Sequence, residues 1–225
     1  LNYYLTFLLL VIGLFSCTPS DKEPTIDADT KAILNLGLAK AVGADSAWRE
    51  YMRIPPPFTS HQTFTSKEDS LEYVHCERWR DSVKATLDTA TLFVVVYNRF
   101  ESLDENDREN IHALLREGRT DLDTGFAASL HALSSARPSL DSFPLNALEP
   151  TSNYKLYTSQ SAPKDKLRRL GSISFSMIGF NTAKDKACVY TRFICGGLCG
   201  TGQILFFNKK EGRWLFVKSW EMWIS

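Results

Sequence analysis

From Ser172 to the C-terminus the chain repeats one unit: a run rich in β-branched and aromatic residues, then a short turn signal. Ser172 to Asn181 is one such run, and Lys184-Asp185-Lys186 turns it. Ala187 to Ile194 follows, with Ala187, Val189, Thr191 and Phe193 alternating onto one face. Gly196 to Gly202 reverses the chain into Gln203 to Lys209, and Lys210-Glu211-Gly212 leads into Trp214 to Ile224. Links this short join antiparallel neighbours, because a parallel pair needs a crossover of a dozen residues or more. With a short strand at Lys155 to Thr158 ahead of it, the segment 154–225 predicts a four-stranded antiparallel β-meander.

The preceding part reads as helix. Leu34, Leu38 and Val42 recur at four-residue steps over Thr30 to Val42, and a short helix fits Asp45 to Arg53 until Pro55-Pro56-Pro57 stops it. Ser66-Lys67-Glu68-Asp69 opens a helix bearing Cys76, Trp79, Val83 and Leu87 on one face. Helices over Asp104 to Glu117 and Thr124 to Ala136 close at Gly118 and before Pro138. Between them and the earlier helices, Thr91 to Tyr97 has no helical spacing and predicts one buried strand. The expected fold is therefore α+β: one domain over 28–225, mainly helical across 28–136, its helices packed on the meander.

The 26 basic and 26 acidic side chains cancel, and no long run of one sign occurs, so nucleic acid is not an expected partner. The uncharged apolar run Tyr3 to Phe15 is shorter than the roughly twenty residues a helix needs to cross a bilayer. It ends in Leu14-Phe15-Ser16-Cys17 and is followed by the polar stretch Thr18-Pro19-Ser20-Asp21. This resembles a bacterial lipoprotein signal peptide at 1–17, which implies acyl chains on Cys17 inserted in the lipid bilayer and a tether over 18–27. Two other readings of the same residues are a cleaved signal with a chance cysteine and a retained anchor. Leu stands at position 1 and no Lys or Arg precedes the apolar run, which points to a truncated start or a non-standard initiation codon. Thr18 is not the aspartate that retains some lipoproteins at the inner membrane, so the resemblance favours the outer membrane, on its periplasmic or surface face.

The C-terminal string also resembles a known one. Ser174 to Asn181, Ala187-Cys188-Val189-Tyr190, Gly200-Thr201-Gly202, Gly212-Arg213-Trp214 and Trp223-Ile224-Ser225 together resemble a family of uncharacterised secreted or lipid-anchored bacterial proteins of the Bacteroidetes type. That resemblance brings no chemistry. Each element also has a local explanation: Gly200 and Gly202 for a hairpin needing positive φ, Gly212 for the next turn, Asn181 for a side chain bonding turn backbone.

Beyond Cys17 there are Cys76, Cys188, Cys195 and Cys199. In an exported chain the Cys195–Cys199 pair, separated by flexible glycines, is the best disulfide candidate, with Cys76 and Cys188 as buried thiols. Paired CxxC spacing is missing, so no metal and no cofactor is expected. The glycine-rich 197–202 run lies between strands, whereas phosphate loops open a helix. Ser161-Ala162-Pro163-Lys164 lacks the partner motifs of the Ser-x-x-Lys acyl-transfer enzymes, and no Cys–His pairing can be read. Asp104-Glu105-Asn106-Asp107 reads as an acidic helix start rather than a calcium loop. Tyr190, Trp214, Trp220 and Trp223 are the candidate ligand-facing aromatics, with Trp214 and Trp220 on one sheet face and Trp223 on the other if alternation is unbroken. The expected function is a lipid-anchored envelope binding or interaction protein, of an immunity or inhibitor type, that meets an envelope protein partner. An envelope hydrolase with a dispersed site is the alternative.

Overall fold

The computed structural model describes residues 25–42, 92–117, 123–137, 142–150, 154–164, 169–196 and 199–225, with single residues of a helical stretch across 71–82. Helix α1 spans Ala28–Val42, α2 Glu105–Glu117 and α3 Thr124–Ser135. The strands are β1 Leu92–Glu101, β2 Tyr154–Thr158, β3 Arg169–Ser176, β4 Gly179–Phe180, β5 Lys186–Gly196, β6 Cys199–Lys210 and β7 Arg213–Ile224. The expected signal, the helix over 45–53, Cys76, Val83 and Leu87 lie outside the described residues.

Aspartates start the helices. Asp27 Oδ1 accepts the Thr30 amide at 2.9 Å, Asp104 Oδ1 the Asp107 amide at 2.8 Å, and Asp123 Oδ1 the amides of Gly125 and Phe126. Each satisfies donors that the first helical turn leaves unpaired. In α1 the stripe Ile33, Leu34, Leu38 and Val42 is buried on the sheet. Asp29, one turn earlier, accepts from Lys209 Nζ at 2.7 Å and Trp214 Nε1 at 2.9 Å, which fastens α1 to β6 and β7.

The α+β class is observed, but the sheet is larger than a four-stranded meander and is mixed. All seven strands form one sheet in the order β2-β1-β3-β5-β6-β7, with β4 also pairing β5. β1 runs parallel to β2 and to β3, while β3, β4, β6 and β7 are joined through antiparallel pairs with β5 or β6. The expected lone strand near 91–97 is thus an interior strand. Its five leading residues, Leu92 to Val96, are buried whichever way they point. That is the pattern of a parallel strand covered on both faces, and local turn signals cannot report a partner sixty residues away.

Helix α1 covers one face, where Ile173, Phe175, Val189, Phe193, Leu205 and Phe207 form the larger core. Helices α2 and α3 cover the other, over Cys188, Tyr190, Ile204 and Phe206. The expected run Ser172 to Asn181 is two strands, since its pairing with β5 shifts by one residue between Phe175 and Gly179. There Ser176 Oγ accepts the Tyr190 amide at 2.9 Å, replacing the ladder bond that the shift removes. Gly179 lies against α3 so closely that an added Cβ would meet the Leu133 backbone nitrogen at 2.6 Å.

Candidate functional site

A cavity of about 660 Å³ opens where β1 and β2 end. Val96 is in register with Thr158, so both parallel strands deliver their carboxyl ends to one place. β1 contributes Tyr97, Asn98, Arg99 and Glu101, the end of β2 contributes Thr158, and the turn after it contributes Ser159 and Gln160. Ser142 closes the wall through a bridge to Arg99. Crevices at the carboxyl ends of parallel strands are recurrent ligand sites, because side chains there sit on rigid elements yet face solvent. Here β1 changes character abruptly: Val96 is fully buried and Tyr97 is 44% exposed.

Several lining groups are held from behind. Ser174 Oγ donates to Glu101 Oε2 at 2.7 Å, and Ser174 itself is 4% exposed. Asn98 Nδ2 donates to the Phe143 carbonyl at 3.4 Å, while the Phe143 amide donates to the Asn98 carbonyl. Thr158 Oγ1 and Ser161 Oγ share a hydrogen bond at 2.9 Å across the turn.

Glu101 also joins a charged cluster beneath the groove. Arg192, opposite Ser174 in the β3–β5 ladder, lies 3.7 Å from Glu101 and 3.9 Å from Asp104. Its Nε is buried with no hydrogen-bond partner, as is Oδ2 of Asp107. Asp107 is 3% exposed in the first turn of α2 and faces Tyr190. Burial, and then the neighbouring Asp104 charge, push its carboxyl above the usual carboxylate range. Burial likewise raises the Tyr190 phenol.

The four candidate aromatics do not share a surface. Trp214 is buried on the α1 face, bonded to Asp29, whereas Trp220 packs with Leu115 and Met222 under α2 and α3. Trp223 donates from Nε1 to the buried Tyr190 hydroxyl at 2.8 Å, on the same face as Trp220. Expected alternation fails because β7 carries two register shifts, opposite Phe206/Phe207 and Gly202/Gln203. Each inserts a residue, so Trp220 is turned away from Trp214's face. The expectation of positive φ at Gly200 and Gly202 also fails. The described residues with positive φ are Lys184, Glu211 and Gly212. Gly202 is needed instead because the Trp223 indole lies across it, with the Tyr190 oxygen 2.6 Å from where a Cβ would stand.

The Cys195–Cys199 disulfide is present, bridging the β5–β6 hairpin beside the terminal pair of bonds between Gly200 and Ser225. Cys188 is a fully buried free thiol, pushed by desolvation far above its ordinary value and so inert as a nucleophile. Cys17 lies outside the described residues. Among the described residues no cluster of His, Cys, Asp and Glu has metal-binding geometry, and no helix is long and apolar enough to cross a membrane.

Sequence reasoning missed Tyr97, Asn98, Arg99, Glu101 and the turn at 158–160. Two signals were there: polar residues ending an otherwise apolar run at Tyr97-Asn98-Arg99, and serines at every second position, Ser172, Ser174 and Ser176, in a strand that reads as buried. No protein-family model, no curated protein and no solved structure matches this chain.

Proposed function

We propose that this chain is a lipid-anchored protein of the bacterial cell envelope whose domain binds a partner or ligand at the groove between β1 and β2. The Cys17 signature and the C-terminal string support the address and a Bacteroidetes-type source, with the outer membrane favoured. The Cys195–Cys199 bond supports an oxidising compartment. The observation that carries the binding reading is the groove itself. Its described lining is made of hydrogen-bonding side chains on strand ends and the turns beside them. An immunity- or inhibitor-type role is the specific form of this reading.

One observation favours the alternative, an envelope hydrolase. Asp107 has the raised pKa of a general acid and sits beside Tyr190 and Arg192. It is buried and does not line the groove, so substrate has no route to it through that cavity.

The test is capture from detergent-solubilised envelope with the C-terminally tagged chain and its Tyr97→Ala/Gln160→Ala variant. A stoichiometric partner retained by the parent and lost by the variant is expected. Equal recovery of every component by both proteins refutes binding at the groove. Loss of lipid labelling and of membrane association in Cys17→Ser is the expected check on the anchor, and an unchanged membrane fraction refutes it.

A further inference from the structure

We infer that the groove takes a neutral polyhydroxylated ligand, a saccharide stacked on Tyr97, a reading that rests on the groove being a binding site. Charge is the first argument. Among the described residues that line it, the formal charges are Arg99 and Glu101, which cancel. A site for phosphate or carboxylate would gather cations, and Glu101 would repel such a ligand at contact distance.

Composition is the second. Small-ligand pockets of about 300–1,000 Å³ are mostly apolar with a few polar groups. This one, at about 660 Å³, reverses that balance: Asn98, Ser142, Thr158, Ser159 and Gln160 all present hydroxyls or amides. Such groups both donate and accept, which matches a ligand whose surface is hydroxyl groups. A lipid chain or apolar peptide would leave them unpaired.

The third argument is Tyr97. Tyr97 lines the polar groove and is 44% exposed, so it supplies an aromatic ring on which the C–H side of a sugar ring can stack. Glu101 completes the arrangement as an acceptor held in place by the buried Ser174, so little ordering is left for the moment of binding.

The experiment uses the full chain in a detergent without a sugar headgroup. Maltotriose, cellotriose, chitotriose and mannotriose are the neutral probes, with trigalacturonate and inorganic phosphate as anionic ones. Saturation-transfer NMR and titration calorimetry read binding. Saturable binding of at least one neutral trisaccharide is expected, weakened about tenfold in Tyr97→Ala and severalfold in Gln160→Ala. Gln160 lies in an exposed turn, so its variant keeps the fold should Tyr97→Ala lose it, and thermal melts check both. Leu215→Ala, on the far edge strand, should bind as the parent does. Failure of all four neutral probes overturns the inference, as does tighter binding of an anion or binding indifferent to Tyr97 and Gln160. Should the saccharides fail while the envelope partner is still lost by the groove variant, the ligand class falls and the binding reading stands.

Discussion

Replacing Gly202 by Ala places a methyl group where the indole of Trp223 lies. The new Cβ would overlap Trp223 Nε1 and Cε2 and stand 2.6 Å from the Tyr190 oxygen. The indole must leave, and with it the 2.8 Å hydrogen bond that satisfies the Tyr190 hydroxyl. Overpacking costs about 1–3 kcal/mol and the lost hydrogen bond about 0.5–1.5 kcal/mol. A destabilisation of roughly 3 kcal/mol is therefore expected, which in a chain of this size lowers Tm by about 6–12 °C. Urea melts of Gly202→Ala, Trp223→Ala and the double variant separate this from a backbone effect. With Trp223 gone, the remaining obstacle is the Tyr190 oxygen at the end of a side chain that can give. Gly202→Ala should then cost under about 1 kcal/mol, a coupling of about 2 kcal/mol. Gly200 supplies the control, because its Cβ would meet the Trp223 ring only at 3.2–3.3 Å. Costs that add to within about 0.5 kcal/mol refute the reasoning, and so does a Gly200→Ala variant as damaged as Gly202→Ala.

Asp107→Asn should stabilise the protein at pH 7 by about 1 kcal/mol. Relief of a buried charge whose Oδ2 lacks a hydrogen-bond partner outweighs the few tenths that an acidic side chain contributes at a helix start. Because the folded-state pKa is raised, the native state binds a proton more readily than the unfolded state. The parent should therefore gain on the variant as pH falls through that pKa, and melts showing a constant gap from pH 7 to pH 4 argue against this. Asp29 has the opposite sign: hydrogen bonds from Lys209 and then Trp214 hold its carboxyl below the ordinary value. Lys209→Met should cost about 1 kcal/mol near neutrality, a loss present above pH 4 and vanishing as pH falls through the lowered pKa, and an equal deficit at pH 2.5 sinks the assignment. Reducing Cys195–Cys199 releases a five-residue loop, worth about 2 kcal/mol by chain entropy, so melts with and without reductant should differ by about 4–8 °C. A Tm unchanged when both thiols are shown by alkylation to be free rejects that figure.

Local patterns carried much of the fold. The α1 stripe, the helices after Asp104 and Asp123, the alternation of Ala187, Val189 and Phe193, and the turn at Glu211-Gly212 all lie where spacing and turn chemistry predict. Asn181 does what a turn asparagine can do, its Oδ1 accepting the Asp185 and Lys186 amides at 3.1 and 3.0 Å. What failed was non-local. That β1 lies between β2 and β3 depends on pairings across roughly sixty to eighty residues, which no turn announces. The two register shifts of β7 were equally silent. Nothing in Val217 or Met222 marks an extra residue, yet each reverses every facing assignment beyond it.

The same physics explains why the aromatic residues were a poor guide to the site and the small polar ones a better one. A tryptophan in a strand is large enough to be drawn into whichever core lies nearest, and here Trp214 and Trp220 enter cores on opposite faces. A buried serine has no such pull. It costs free energy unless something accepts its hydrogen bond, so its position implies a partner. Ser176 serves the Tyr190 amide, Ser172 reaches the Ile194 carbonyl at 3.5 Å, and Ser174 holds Glu101 at the groove. Read as a demand for partners, the alternation Ser172, Ser174, Ser176 points from the interior of β3 to the carboxylate at the end of β1. A Ser174→Ala variant tests that direction of inference. It removes a buried hydroxyl of little volume, so stability should fall by only about 1–2 kcal/mol, whereas ligand or partner binding at the groove should weaken severalfold as Glu101 loses its fixed orientation. Binding that tracks stability alone, and recovers fully when the variant is cooled well below its Tm, would mean that Ser174 is merely a satisfied strand residue.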